Sequence, residues 1–336
     1  MYNNTKFIDS QCVDVDFTSQ LSDRNSRGKE RPWGRYKLAN EYLALAYDDI
    51  DKRKAERLRS CGKFLLFDVD ENNNKRLVSA NSCRVRLCPL CAWRRSLKCF
   101  HDTMQIVQYI NEHYKLSYIF VTLTVRNCKA DKLSETIDLL LSAFNRLFKR
   151  KEIVRAWRGC VRNLEVTHNV DVNDVSYDTY HPHLHLLVAV NKSYFTSRDY
   201  ISRDKLRRLW ADCLRIDDEE YRKWLQVEIQ ACKDTDAKAV AECSKYASKA
   251  KDYLIFDDWN LTVDTVKVLD KALANRKLVH YVWLFRDVKK TLKISDVNDD
   301  NVDLVHISDD SNFSVKQKQE MYFWHSGYSQ YYKVRK

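Results

Sequence analysis

Residues 181–188 read His-Pro-His-Leu-His-Leu-Leu-Val, a stretch in which histidines alternate with proline and leucines. Alternate side chains of a β-strand lie on the same face, so the three histidines share one face while Leu184, Leu186 and Val188 enter the core. Two imidazoles spaced i, i+2 on one strand can bind a single divalent cation. The stretch therefore predicts a strand over Pro182–Val190 that carries a metal site.

A carboxylate for this site is expected on the preceding strand. Residues Cys160–Thr167 form a second apolar segment, separated from the first by the polar loop Asn169–Thr179. If the two strands pair, Glu165 meets the face that carries His183 and His185. Two nitrogens and one carboxylate would then bind a metal and leave coordination positions open for a substrate. The alternative is a cluster of exposed histidines at a sheet edge.

The surrounding segments predict an α+β fold. A further buried strand is expected over Ser117–Val125 and a short one over Val227–Ala231, because β-branched and apolar residues are concentrated there. Helical spacing of apolar residues predicts helices over residues 41–60, Trp93–Tyr114, Ser134–Phe148, Leu206–Leu214 and Ala237–Tyr253. Strands separated by helices, with one hairpin, indicate a mainly antiparallel central sheet flanked by helices.

The last of these predicted helices carries a second set of reactive side chains. Glu242, Tyr246 and Lys249 are spaced i, i+4, i+7, so on a helix they share one face. Tyr246 is a candidate nucleophile, Glu242 a candidate general base and Lys249 a cation suited to phosphate. These are the groups that covalent phosphoryl transfer requires. The alternative is an ordinary solvated helix face.

Four of the eleven cysteines are arranged like zinc ligands. Cys88 and Cys91 are separated by two residues, which places two thiolates on one tight turn. Cys83 and Cys61 would complete a structural Zn²⁺ site, with unliganded buried thiols as the alternative. The first residues resemble no secretory signal and no long apolar run occurs, so we expect a soluble cytoplasmic protein without disulfides.

Positive charge is concentrated around these cysteines. The net charge is +11, and residues 51–100 contain 13 Lys and Arg against 5 Asp and Glu. Such a concentration is typical of a protein that binds nucleic acid, although a solvated basic face is the simpler interpretation of any single run. By contrast, residues 295–310 contain six Asp and no Lys or Arg, which would repel phosphate. The arginines expected to contact DNA are Arg84, Arg86, Arg94 and Arg95.

These motifs also resemble a known family. FVTLTV (120–125), EVT (165–167), HPHLHLL (181–187) and E-x-x-x-Y-x-x-K (242–249) occur in the order seen in rolling-circle replication initiators of the HUH endonuclease superfamily. The similarity is greatest to the single-tyrosine branch from small bacterial plasmids. CRVRLCPLCAWRRSLK (83–98) and YVWLFRDVKK (281–290) resemble segments of that branch, although the family usually has two glycines where Val282 and Trp283 stand.

The resemblance implies the HUH endonuclease fold and a role for each candidate residue. His183, His185 and Glu165 would hold Mg²⁺ or Mn²⁺ at the scissile phosphate of single-stranded origin DNA. Tyr246 would attack that phosphate, giving a 5′-phosphotyrosine and a free 3′ hydroxyl, and Glu242 would activate water to terminate replication. A host helicase and a DNA polymerase are the implied partners, and the sequence leaves open whether the protein is a homodimer.

The sequence leaves two alternative functions. An HUH transposase or mobilisation relaxase would share the site and differ in additional domains. A non-catalytic, zinc-dependent DNA-binding regulator would not need His183, His185 or Tyr246. The expected domains are a polar N-terminal segment and helix (1–50), a basic cysteine module that binds zinc (51–100), a nicking-joining catalytic domain (101–256) and a C-terminal helical and acidic region (257–336).

Overall fold

The structure is a computed structural model that describes residues 13–25, 28–232, 237–245, 249–299, 301–307 and 313–335. Its helices are α1 (Trp33–Asp48), α2 (Lys52–Ser60), α3 (Pro89–His113), α4 (Leu133–Leu147), α5 (Lys151–Ala156), α6 (Arg203–Leu214), α7 (Glu219–Trp224), α8 (Ala237–Cys243), α9 (Trp259–Leu273) and α10 (Leu284–Thr291). Its strands are β1 (Val15–Gln20), β2 (Phe64–Asp70), β3 (Lys75–Ala80), β4 (Leu116–Thr124), β5 (Trp157–Asn169), β6 (Thr179–Asn191), β7 (Val227–Cys232), β8 (Val279–Trp283), β9 (Lys316–His325) and β10 (Gln330–Val334). None of the helices in these ranges has both the length and the apolar character needed to cross a membrane.

The chain forms two compact units. The first unit combines residues Met1–Cys91 with Asp303–Lys336, and the second consists of Ala92–Val302. Each unit contains one five-stranded sheet. The predicted α+β fold with antiparallel sheets and flanking helices is confirmed.

The sheet of the second unit has the strand order β7-β4-β6-β5-β8, and every neighbouring pair is antiparallel. The predicted hairpin is present: β5 and β6 contain 13 residues each and pair along their whole length. Strand β4 matches its predicted position within one residue at each end. Strands β5 and β6 contain the residues of the predicted metal site, and β4 pairs with β6 beside them.

One face of this sheet changes from apolar to polar along β5 and β6. Val161 and Leu187 lie opposite each other and pack in a core with Ile106 of α3 and Phe285 of α10. The next two rows on the same face are occupied by polar side chains, which pair as Asn163 with His185 and Glu165 with His183. The opposite face is mainly apolar, with Leu164, Leu184 and Leu186 fully buried, although Arg162 and His168 also lie on it. The polar rows therefore begin where the helix-covered core of the first face ends.

The sheet of the first unit has the order β1-β10-β9-β2-β3. It joins strands from the two ends of the chain, since Phe64 of β2 is opposite Phe323 of β9. This sheet was not predicted: the sequence indicated a polar N-terminal segment without β1 and a helical region after residue 257 without β9 and β10. Strand β8 of the other sheet was also not predicted. In β9 the buried residues Glu320, Tyr322 and Trp324 alternate with more exposed ones, which is a strand pattern.

The single helix predicted over residues 41–60 is two helices. Helix α1 ends at Asp48, and Asp51 caps α2 by accepting hydrogen bonds from the backbone N–H groups of Arg53 and Lys54. An aspartate in this position satisfies amide groups that have no partner inside the helix. The chain therefore turns between the helices, immediately before the basic segment that leads to the first cysteine of the predicted zinc site.

Candidate metal centre and cysteine cluster

The structure brings the three predicted ligands of the catalytic metal together. Glu165 on β5 lies directly opposite His183 on β6, and its Oε2 atom is 3.8 Å from His183 Nε2 and 3.4 Å from His185 Nε2. One ligand atom from each residue lies within 4.8 Å of the others. Glu165 and His183 are buried and His185 is partly buried, so the three side chains have the geometry to hold one divalent cation.

Each histidine makes a second contact through Nδ1, which leaves Nε2 directed at the carboxylate. His183 Nδ1 is 3.0 Å from the backbone oxygen of His181, and His185 Nδ1 is 3.2 Å from the hydroxyl of Thr122 on β4. The Phe120 ring stacks on His185 with the ring centroids 5.4 Å apart. Outer contacts of this kind fix the orientation of metal-ligating histidines.

Glu165 is an ionised carboxylate in these surroundings. Burial alone would raise its pKa, but the neighbouring imidazoles of His183 and His185 and the positive charge of Lys249 hold the pKa well below its usual value. The Lys249 ammonium lies 3.1 Å from Oε1, the oxygen that does not face the histidines. Lys249 was predicted to meet phosphate, and the structure places it on a metal-ligand candidate instead.

His181 lies beside the three ligand candidates without joining them. Its ring centroid is 5.1 Å from that of His183, and its Nδ1 atom is 2.7 Å from the side-chain oxygen of Asn127. Burial and the neighbouring His183 lower the pKa of His181 to about 4. His181 is therefore a neutral imidazole at neutral pH, held at the edge of the site by an amide.

The helix predicted over Ala237–Tyr253 is wrong beyond Cys243. Helix α8 ends there, and the Ser244 hydroxyl donates a hydrogen bond to the Val240 carbonyl. Lys249 has extended backbone angles. The face that was expected to align residues 242, 246 and 249 therefore does not exist as one continuous helix. Tyr246 lies outside the described residues.

Glu242 and the segment that leads to Tyr246 are held by neighbouring groups. The Glu242 carboxylate forms an ion pair with Lys245. The Lys245 carbonyl accepts a hydrogen bond of 2.6 Å from the Asn163 side chain, which lies opposite His185 in the sheet. Asn163 thus connects the row next to the metal ligands with the chain just before the predicted nucleophile. No sequence signal predicts this role of Asn163, because an amide in a strand has no distinctive spacing.

In the first unit the four predicted zinc ligands also converge. The Sγ atom of Cys61 is 3.6 Å from that of Cys88 and 3.7 Å from that of Cys91, and Cys83 Sγ is 3.8 Å from Cys91 Sγ. Four sulfurs about 2.3 Å from a tetrahedral zinc would be separated by about 3.8 Å. All four thiols are buried and free of disulfide bonds. Their separations therefore suit a zinc ion.

The backbone around the cysteines is shaped for this cluster. Backbone N–H groups of Cys83 and Arg84 donate to the sulfurs of Cys61 and Cys91, each at 3.4 Å. Hydrogen bonds from the other thiols, Cys61 first, hold the pKa of Cys91 well below its usual value, whereas burial raises that of Cys88. Four buried thiols cannot all ionise side by side without a cation, which a zinc ion would provide.

Next to Cys61, Gly62 adopts a left-handed conformation with φ +61°. A Cβ atom at this position would come within 2.6 Å of the side chain of Leu90, a residue that lies between Cys88 and Cys91 in the sequence. Glycine therefore permits the close approach of the first cysteine to the Cys88–Cys91 turn.

The four arginines predicted to contact DNA differ in exposure. Arg84 and Arg86 are half-buried, whereas Arg94 and Arg95 are only 8% and 4% exposed. The latter pair is therefore not in the exposed location expected of a phosphate contact. Arg84 and Arg86 alternate with the buried Val85 and Leu87 between the zinc-ligand candidates.

Known proteins resemble the chain over most of its length. A family model described as replication protein matches residues 74–332. A Protein rep from Bacillus amyloliquefaciens is 33% identical over 339 residues, covering 93% of this chain and 97% of the relative. A Protein rep from Streptococcus pneumoniae is 34% identical over 320 residues, covering 93% of this chain and 95% of the relative. No solved structure matches the chain significantly. Because the model spans more than half of the chain and both relatives align along nearly their whole length, the chain belongs to the replication protein family.

Proposed function

We propose that the chain is a plasmid rolling-circle replication initiator, an enzyme that nicks one strand of origin DNA and later rejoins it. The observation that supports this most strongly is the convergence of Glu165, His183 and His185 on one sheet face. Membership of the replication protein family supports the biological process. An HUH transposase or relaxase would need the same site, so the family match favours the initiator.

The three side chains would hold Mg²⁺ or Mn²⁺, which when bound supplies Lewis-acid chemistry at a phosphate oxygen. Three protein ligands leave the remaining coordination positions to the substrate. Lys249 forms an ion pair with Oε1 of Glu165, and Oε2 faces the histidines. The protein thereby presents a preformed, ionised ligand set to the DNA.

Tyr246 is the proposed nucleophile. Its phenolic oxygen would form a bond to phosphorus as the bond between phosphorus and the 3′ oxygen breaks. The phenol loses its proton and the 3′ oxygen gains one, so the products are a 5′-phosphotyrosine and a free 3′ hydroxyl. An ordinary phenol has a pKa of about 10, which is why the reaction needs charge stabilisation at the phosphate.

Termination would use a different group. Glu242 is proposed to take a proton from a water molecule that cleaves the regenerated origin, so that no second tyrosine is required. A 3′ hydroxyl would then attack the phosphotyrosine, which rejoins the strand and releases Tyr246. In this scheme the carboxylate acts as a general base only in the last stage.

The cysteine cluster has a separate proposed role. A zinc ion held by Cys61, Cys83, Cys88 and Cys91 would fix a segment that also carries Arg84 and Arg86. These arginines would contact the DNA backbone, where lysines and arginines supply most of the affinity of non-specific binding. A host helicase and a DNA polymerase are the proposed partners that use the nicked strand.

A nicking assay tests the proposal. Supercoiled plasmid carrying the cognate origin is incubated with wild type, His183→Ala or His185→Ala protein and Mn²⁺. We expect both variants to lose at least 100-fold in nicking rate, because each loses a metal ligand, while origin binding in a mobility-shift assay stays near wild type. The matched control is His113→Ala, which changes an exposed histidine at the end of α3.

The result also separates the alternatives. Full nicking by both variants would exclude the metal centre. Absence of nicking by the wild-type protein, together with tight and specific origin binding, would indicate the zinc-dependent regulator instead. Nicking of a transfer origin in place of a replication origin would indicate a relaxase.

A further inference from the structure

We propose that Thr122 is a positioning residue whose hydroxyl lets His185 change its protonated ring nitrogen when a metal binds. The inference rests on the metal site of the proposed function and adds a residue that does not itself bind the metal. It concerns the state of His185 before and after the cation arrives.

Thr122 and His185 are neighbours across two strands. They lie directly opposite each other in the pairing of β4 with β6, and Thr122 Oγ1 is 3.2 Å from His185 Nδ1. The other ring nitrogen, Nε2, is 3.4 Å from Glu165 Oε2. The imidazole is therefore held between a hydroxyl on one side and a carboxylate on the other.

His183 has no such freedom. Its Nδ1 atom is 3.0 Å from the His181 carbonyl oxygen, and a carbonyl can only accept a hydrogen bond. Nδ1 of His183 must therefore carry a proton. In its neutral form Nε2 has a lone pair, which is the state that a metal requires.

The partner of His185 can act in either direction, because a hydroxyl both donates and accepts. Without a metal, a proton on Nε2 of His185 faces the Glu165 carboxylate and the Thr122 hydroxyl donates to Nδ1. With a metal on Nε2, the proton must reside on Nδ1, and the Thr122 oxygen accepts it. The proton of His183 is thus fixed on Nδ1, whereas that of His185 can lie on either ring nitrogen. The Thr122 hydroxyl provides a hydrogen-bond partner for His185 Nδ1 in both cases.

Replacement of Thr122 by valine keeps the shape of the side chain but removes this partner. In the metal-bound state the Nδ1–H group of His185 would then face a methyl group. The His185 side chain is only 14% exposed, so water has limited access to replace the lost hydrogen bond. Loss of such an outer partner typically reduces metal affinity by 10–100-fold.

The strand itself provides a matched control. Thr124 lies two residues further along β4, is half-buried like Thr122 and is opposite His183. Its hydroxyl donates to the Gln226 carbonyl at 2.7 Å, whereas that of Thr122 lies against a histidine nitrogen. Thr124→Val therefore repeats the same chemical change in the same strand.

The first measurement is a calorimetric titration of the zinc-loaded protein with Mn²⁺. Heat that is absent from the same titration of His183→Ala is assigned to the metal site. We expect Thr122→Val to weaken Mn²⁺ binding about 10–100-fold. Thr122→Ser, which restores the hydroxyl, and Thr124→Val should bind as wild type does. A second measurement uses nitrogen-15 shifts of His185 in metal-free protein, where Thr122→Val should alter the tautomer balance and Thr124→Val should not.

Wild-type Mn²⁺ affinity in Thr122→Val would overturn the role of Thr122 and leave the metal site intact. Equal losses in Thr122→Val and Thr124→Val would also overturn it, since they would report damage to β4. If wild-type protein bound no Mn²⁺ at His183, the proposed function would fail as well. The two proposals can therefore be told apart by the wild-type titration.

Discussion

Trp283 stands in a backbone conformation that side chains seldom adopt. At the junction of β8 and α10 it has φ 51° and ψ −122°. Its ring packs on Phe148 with the centroids 5.0 Å apart. The replication initiators that this segment resembles usually have glycine here, and glycine adopts positive φ without steric cost. The tryptophan therefore combines a strained backbone with an aromatic contact.

Trp283→Gly and Trp283→Ala separate these two effects. Both variants lose the contact with Phe148, but only alanine retains the strain of a Cβ atom in this sparsely populated backbone region, which costs about 1–3 kcal/mol. We expect Trp283→Gly to be more stable than Trp283→Ala by about 1 kcal/mol, the reverse of the usual order in a strand. Urea denaturation followed by circular dichroism checks the order, and greater stability of the alanine variant would contradict the assigned backbone conformation.

Single residues also show how far sequence predicts the site. The alternation of histidines in β6 and the position of Glu165 in β5 predicted a convergence that the strand register produces. Thr122 and Asn163 were not assigned to the site, because a hydroxyl or amide in a strand has no distinctive spacing. Their contacts depend on which residue of the neighbouring strand lies opposite, and that register is a property of the whole sheet.

At the scale of elements, the segment after α8 differs from its predicted structure. Helical spacing placed Glu242 and Lys249 on one face, yet α8 ends at Cys243 and Lys249 is extended. Periodicity in a short segment of mixed polarity is a weak indicator, because tertiary contacts decide where a helix ends. Here the Asn163 side-chain amide donates a hydrogen bond to the Lys245 carbonyl, which in a continuing helix would accept from a backbone N–H group.

In the proposed function, two residues of this segment act at different stages, Tyr246 in initiation and Glu242 in termination. Tyr246→Phe removes the oxygen that would bond to phosphorus, so we expect no nicking and no covalent DNA adduct. Glu242→Ala keeps that oxygen and should still nick and attach to DNA, but yield replication products longer than unit length because water is not activated. Product length on denaturing gels and adduct formation on protein gels are the measurements.

The matched control for the termination variant is Glu219→Ala, which removes an exposed carboxylate from α7. It should give products of unit length. Unit-length products from Glu242→Ala would show that Glu242 serves only its ion pair with Lys245. Loss of nicking in that variant would place Glu242 in the first transfer.

For the molecule as a whole, the cysteine cluster should determine the stability of the first unit. Cys88→Ser or Cys91→Ser removes one of four candidate zinc ligands, and structural zinc contributes directly to folding free energy. We expect loss of about one zinc per chain and a clear decrease in thermal stability. Elemental analysis and calorimetry measure the two effects. Cys99→Ser, which changes a buried thiol in the second unit, should retain the zinc.

The fold of the second unit was more predictable than that of the first, for a physical reason. Hairpin β5–β6 joins segments that are close in sequence, so local patterns reveal both partners. Strand β2 pairs with β9, and neither its apolar pattern nor its length identifies a partner near the other end of the chain. The four cysteines were still recognised, because their spacing is a local signal.

The pairing of Phe64 with Phe323 has a consequence for synthesis of the protein on the ribosome. At about 5–20 residues per second, roughly 13 to 50 seconds separate the appearance of the two residues. During that interval β2 has no β9 to pair with, whereas all five strands of the second sheet are synthesised before β9. We therefore expect the nascent chain to complete the sheet of the second unit first and to close the first unit, which contains the cysteine cluster, only when translation is nearly finished.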